Sequence, residues 1–79
     1  MTLARQVGGR IREMRLKCGF TQVELAHLLR VPFQIVQHHE HGRQINLDRL
    51  EDMAGIFVKR RPETRQQILN WLLTGGTIM

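Results

Sequence analysis

The sequence contains a single cysteine, Cys18, so no disulfide can form within the chain, and a reducing cytoplasm is the expected compartment. Beside Lys17 it reads as a small apolar filler at a helix end rather than a reactive thiol. Aromatic residues number only four, and no valine-rich alternating stretch argues for a sheet. No apolar run approaches the roughly 20 residues needed to cross a bilayer. The opening MTLARQVGGR lacks the apolar core of about 7–15 residues found in a secretory leader. Repeats and low-complexity linkers are missing. No Ser/His/Asp or Cys/His arrangement can be placed together, no glycine loop cradles phosphate, and the chain is short for a roomy pocket, so an enzyme is not expected.

What is present fits one small helical domain. Seventy-nine residues with 42% apolar content allow a single core. The formal net charge is +5 and the sequence pI is about 11.1, which favours a polyanionic partner; charge alone fits DNA, RNA or an anionic membrane surface.

The most informative stretch is Phe20 to Gly42. Thr21 with Glu24 three residues on forms a capping box that opens a helix, and Leu25 and Leu29 share its buried face. Val31-Pro32 ends that helix, because a residue before proline is pushed out of the right-handed helical region. Proline suits the first turn of the next helix, expected over Pro32 to His41 with Gly42 as its C-terminal cap. This second helix has few residues that need burial, chiefly Val36. Gln34, Gln37, His38 and His41 therefore face outward with the length and hydrogen-bonding groups to reach base edges or phosphates. Phe33 sits beside them, suited either to a thymine methyl or to burial against the domain or a partner. His38 and His41 share a face at i, i+3, but two histidines without HExxH are short of a metal site, and no cofactor is expected.

The pattern Thr21-Gln22-x-Glu24-Leu25-Ala26, followed by Val31, Val36, Glu40 and Gly42, resembles the Cro/phage-repressor (XRE) family of helix-turn-helix domains over about Gly9 to Ile56. The resemblance implies a compact, all-α, five-helix lambda-repressor-like bundle whose third helix reads the DNA major groove. It implies a structural pair between Arg15 and Glu40, and a phosphate contact from Gln22 at the helix start, where free amides and the dipole favour an anion. It lays Arg43 and Gln44 along the DNA backbone, and it makes His39 partly buried. Two departures stand out: Arg30 occupies the turn position where glycine is usual, and Pro32 replaces the usual Ser or Thr cap.

In chain order, residues 2–17 read as the first helix, with Leu3, Val7, Ile11 and Met14 on its core face. Gly8-Gly9 moves its proper start towards Gly9. Arg5, Arg10 and Arg12 are either a solvated basic face or phosphate contacts, with Arg10 taken as a phosphate contact beside Gln22, His41 and Arg43. Asn46 caps a fourth helix whose buried stripe is Leu47, Leu50, Met53 and Ala54. Lys59-Arg60-Arg61 reads as a basic turn or as a further DNA contact. Pro62 starts a fifth helix over residues 62–73, where Ile68, Trp71 and Leu72 crowd enough apolar surface to suggest a dimer interface; the other reading folds Trp71 back onto the single core. Residues 1–73 form the domain, and 74–79 form a glycine-containing tail expected to fray.

The expected function is sequence-specific binding of double-stranded DNA by a homodimeric transcriptional regulator at an inverted repeat. The resemblance admits a phage-type repressor, a restriction-modification controller or an antitoxin. The alternative is a module that engages a protein partner such as a toxin through the same scaffold. Histidines beside phosphates would strengthen binding as pH falls.

Overall fold

The computed structural model describes residues 2–76. Five α-helices follow one another: α1 (Leu3–Lys17), α2 (Gln22–Leu29), α3 (Phe33–Glu40), α4 (Leu47–Phe57) and α5 (Arg65–Thr74), with a 3₁₀ turn at Val58–Arg60 between the last two. No strand occurs among the described residues. The starts are set locally. Thr2, Thr21, Asn46 and Thr64 each accept a hydrogen bond from a first-turn amide, and Thr21 and Thr64 form full capping boxes with Glu24 and Gln67.

The helices close over one core, in which Ile11, Met14, Leu25, Val36, Met53, Phe57, Ile68 and Leu72 are the most deeply buried apolar side chains. Removing that apolar surface from water is the main stabilising term. Two expected core stripes run one residue too far. Leu3 and Leu47 open their helices and are 66% and 56% exposed. Both line a shallow apolar hollow with Ile45 and Leu73.

Helix α1 begins at Leu3, not near Gly9. Gly8 weakens the helix locally but serves tertiary packing. A β-carbon there would lie 2.6 Å from the His39 carbonyl oxygen, 2.7 Å from that of Glu40 and 2.8 Å from the Gly42 nitrogen. Only glycine lets the end of α3 come that close. Gly42 answers from the other side with φ of 82°, where a β-carbon would meet the Arg5 nitrogen at 2.8 Å. Gly9 faces open space.

The fifth helix differs from expectation at both ends. It starts at Arg65 with Thr64 as cap, because Thr64 and Gln67 satisfy two amides that Pro62 cannot serve. Pro62 lies in the preceding turn. Thr74 still belongs to the helix, and Gly75 closes it in the left-handed conformation. The rest of the expected fraying tail, from Thr77 onward, lies outside the described residues.

The expected dimer face is also corrected. Ile68 and Leu72 are fully buried and Trp71 nearly so, within this chain's own core, because α5 lies against both α4 and α1. The Lys17 ammonium sits 5.7 Å from the Trp71 ring centroid, a cation–π contact. Arg10 donates from Nε to the Leu72 carbonyl (3.0 Å) and from Nη2 to the Leu73 carbonyl (3.1 Å), satisfying carbonyls that the helix end leaves without partners. Cys18 is a buried filler whose Sγ points at the Phe57 carbonyl, and burial pushes its thiol pKa up despite Arg61 and Arg60 nearby.

Candidate nucleic-acid interface

Helices α2 and α3 and the turn between them form the helix-turn-helix unit. Arg30 ends α2 at φ 61°, ψ 44°, the left-handed conformation that the turn requires, and its N–H reaches the Ala26 and His27 carbonyls. An L-residue held there costs roughly 1–2 kcal/mol, and the turn keeps its geometry nonetheless. Pro32 precedes α3 in extended conformation and provides no side-chain cap. In the first turn of α3 the Ile35 amide donates to the Pro32 carbonyl at 3.0 Å, and the start of the helix has no side-chain cap.

Along α3, Val36 and His39 turn inward, while Phe33 (40% exposed) and Gln34 turn out, Gln37 and His38 are half-buried, and His41 is exposed at the end. These five outward positions fall at i, i+1, i+4, i+5 and i+8, one arc of a helix. Nδ1 of His38 is buried without a protein partner.

The inward side is a lock. Arg15 grips Glu40 in a fork, Nε to Oε2 at 2.6 Å and Nη2 to Oε1 at 3.3 Å, and its Nη1 donates to the Phe20 carbonyl at 2.9 Å. Gln22 adds a donor from Nε2 to Glu40 Oε1 at 3.1 Å. One carboxylate thus ties α1, the start of α2 and the end of α3 together with charge-assisted bonds. Gln22 keeps its place at the N-terminus of α2, but its side chain serves Glu40; the group left for a phosphate there is the backbone N–H.

His39 shapes the loop that follows. Its Nδ1 lies 3.1 Å from the Arg43 carbonyl oxygen while Nε2 is buried without a partner. Burial lowers its pKa below the ordinary 6.5, opposed by the bond to the Arg43 carbonyl and reinforced by Arg49 and His38. It is thus a neutral Nδ1–H donor at neutral pH. The Arg43 amide in turn donates to the His38 carbonyl at 2.7 Å, which fixes the backbone while the Arg43 side chain stays exposed.

Two expected basic contacts are used inside the fold. Arg10 is occupied by the end of α5, so it leaves the phosphate set. Arg60 donates to the Cys18 carbonyl at 3.0 Å and stacks 4.1 Å from the Phe20 ring centroid, and Arg61 pairs with buried Glu63, which makes 59–61 chiefly a structural turn. Among the described residues no three His, Cys, Asp or Glu side chains are grouped to hold a metal. No helix there is long and apolar enough to cross a membrane.

Residue reading missed the Gln22–Glu40 bond and the His39 support of the loop. Both join residues whose relation depends on the packed fold, and no spacing rule signals them. A comparison with curated proteins and another with solved structures gave no match. A family model described as helix-turn-helix matches residues 11–57, which takes in the Arg15–Glu40 lock and all five outward positions of α3. This chain belongs to the XRE-type helix-turn-helix family of DNA-binding domains.

Proposed function

We propose that the protein is a homodimeric, sequence-specific transcriptional regulator that binds an inverted-repeat operator, acting as a repressor or autoregulator in the cytoplasm. The observation that carries this reading is the two-sided α3: one face locked by Glu40 and His39, the other presenting Phe33, Gln34, Gln37 and His38. Gln34 pairs bidentately with adenine in the major groove, Phe33 contacts a thymine methyl, and Gln37 and His38 read adjoining edges. The backbone amide of Gln22, Arg43 and His41 hold the flanking phosphates and so set the register.

Size supports a dimer. The Cα extents of one copy are 29 × 28 × 20 Å, small enough for two copies to stand side by side over half-sites one helical turn, about 34 Å, apart. The formal charge of +5 predicts a steep loss of affinity with salt.

The test is a titration against DNA from upstream of its own gene, with random duplex as competitor and salt varied. A preference of about a thousandfold or more is expected for a specific regulator. Binding indifferent to sequence would overturn the assignment.

A further inference from the structure

Building on the homodimer reading, we propose that two copies meet through the hollow between α2 and the 3₁₀ turn, related by a two-fold axis near Leu28 and Arg60, with Glu24 of each copy facing Lys59 of the other. Helix α2 leaves Val23 and Leu28 on its outer face, 61% and 50% exposed. Two adjoining hollows lie against that face, and Phe20, Leu28 and Arg60 line both. Glu24 lines only the first and Lys59 only the second, so an acid and a base stand on either side of a centre made by Phe20, Leu28 and the Arg60 guanidinium, whose charge is engaged by the Phe20 ring and the Cys18 carbonyl.

That arrangement is self-complementary. An isologous contact places the same patch on both copies, and rotation about its centre exchanges the two ends. Each acid then meets a base twice over, while Leu28 packs on Leu28. A hollow elsewhere, at Leu3, Leu47 and Leu73, is lined by no charged side chain and so specifies no partner.

Two of the charged side chains on this surface are held beforehand. Arg60 is held by the Cys18 carbonyl and the Phe20 ring, and Glu24 Oε1 accepts the Thr21 amide at 2.8 Å. Ordering on association then falls mainly on the exposed Lys59. The capping bond from Thr21 also lowers the Glu24 pKa, which keeps the carboxylate charged at neutral pH.

The test is sedimentation of the full chain over a concentration series, with and without operator-length duplex, and with helicity checked by circular dichroism. Leu28→Lys and Lys59→Glu are each expected to weaken the dimer at least tenfold. Adding Glu24→Gln to Lys59→Glu should recover part of that loss, since it keeps the capping bond and removes the like-charge pair. Leu47→Glu should leave the dimer intact. Should Leu28→Lys fail to fold, the coupling between Glu24→Gln and Lys59→Glu decides. Wild-type association in both charge variants, or a dimer broken by Leu47→Glu, would overturn this interface while leaving a dimer. A wild type that is monomeric even on the duplex would remove the homodimer reading and this surface with it.

Discussion

The two ends of α3 are built by opposite rules. At the C-terminal end, Glu40 accepts three donors from Arg15 and Gln22, His39 is buried against the loop, and Gly8 admits the helix end to van der Waals contact with α1. At the N-terminal end, Pro32 supplies no cap, and Phe33 and Gln34 stand in solvent. Tertiary contacts are concentrated at one end, and the other stands free of them. Substitutions at the two ends should therefore separate folding from recognition.

The largest effect should come from Arg15→Ala, which strips the forked partner from a nearly buried carboxylate and leaves it only Gln22. We expect a loss of about 3 kcal/mol or more, measured by denaturant unfolding. A midpoint unchanged from wild type would show that Glu40 is not a lock. Next comes the glycine pair. Gly8→Ala forces a methyl into backbone at 2.6–2.8 Å and should cost about 2–3 kcal/mol, whereas Gly9→Ala faces open space and should gain up to about 1 kcal/mol in the same assay. Equal effects at the two positions would disprove the close approach.

At the other end, Gln34→Ala should leave the melting temperature in place and weaken operator binding by about 1–3 kcal/mol, with discrimination lost at one base pair. Loss of stability instead would show that the N-terminal end is not free. Arg43→Ala should be milder, lowering affinity for all sequences alike and reducing the salt slope by about one. A base-specific loss would move Arg43 into the reading set.

The smallest expected effect is on acid stability. The His39 pKa is depressed in the folded state, so the unfolded chain binds the proton more readily. Its contribution is fully present above about 6.5 and is lost as pH falls through the folded-state pKa. Unfolding at pH 7.5 and at pH 5.5 should show this, with the dependence flattened in His39→Phe. A stability that is flat or higher at the acid end would remove His39 from this role.

Much of the architecture was legible because its signals are local. Thr21 with Glu24, Asn46 with Arg49, and the spacing of Ile11 and Met14 act within a turn or two of helix, so sequence neighbours suffice. The Arg15–Glu40 pair came through family resemblance, since nothing in spacing joins residues that far apart. Arg30 showed both its conformation and its cost, because only the turn can explain a residue in glycine's place. The failures share a cause. Helical spacing places Leu3 and Leu47 in the core, and apolar surface puts Trp71 and Leu72 on a dimer face, but burial depends on which helices pack against those positions. Arg10 and Gln22 looked free because their acceptors, the Leu72 carbonyl and Glu40, lie on other helices. Phosphate contacts are most easily overcounted in a basic chain, since a guanidinium serves a helix end as well as it serves DNA.

The contact at Gly8 bears on the order in which the chain folds. Two successive glycines leave α1 little helicity of its own, and the partner it needs, the end of α3, is synthesised more than thirty residues later. Helices α2 and α5 carry capping boxes and can start from neighbours in sequence. We expect α1 to be the late arrival: φ-values near zero along Val7 and Ile11, and higher ones in α2, would show that the first helix made is among the last to form.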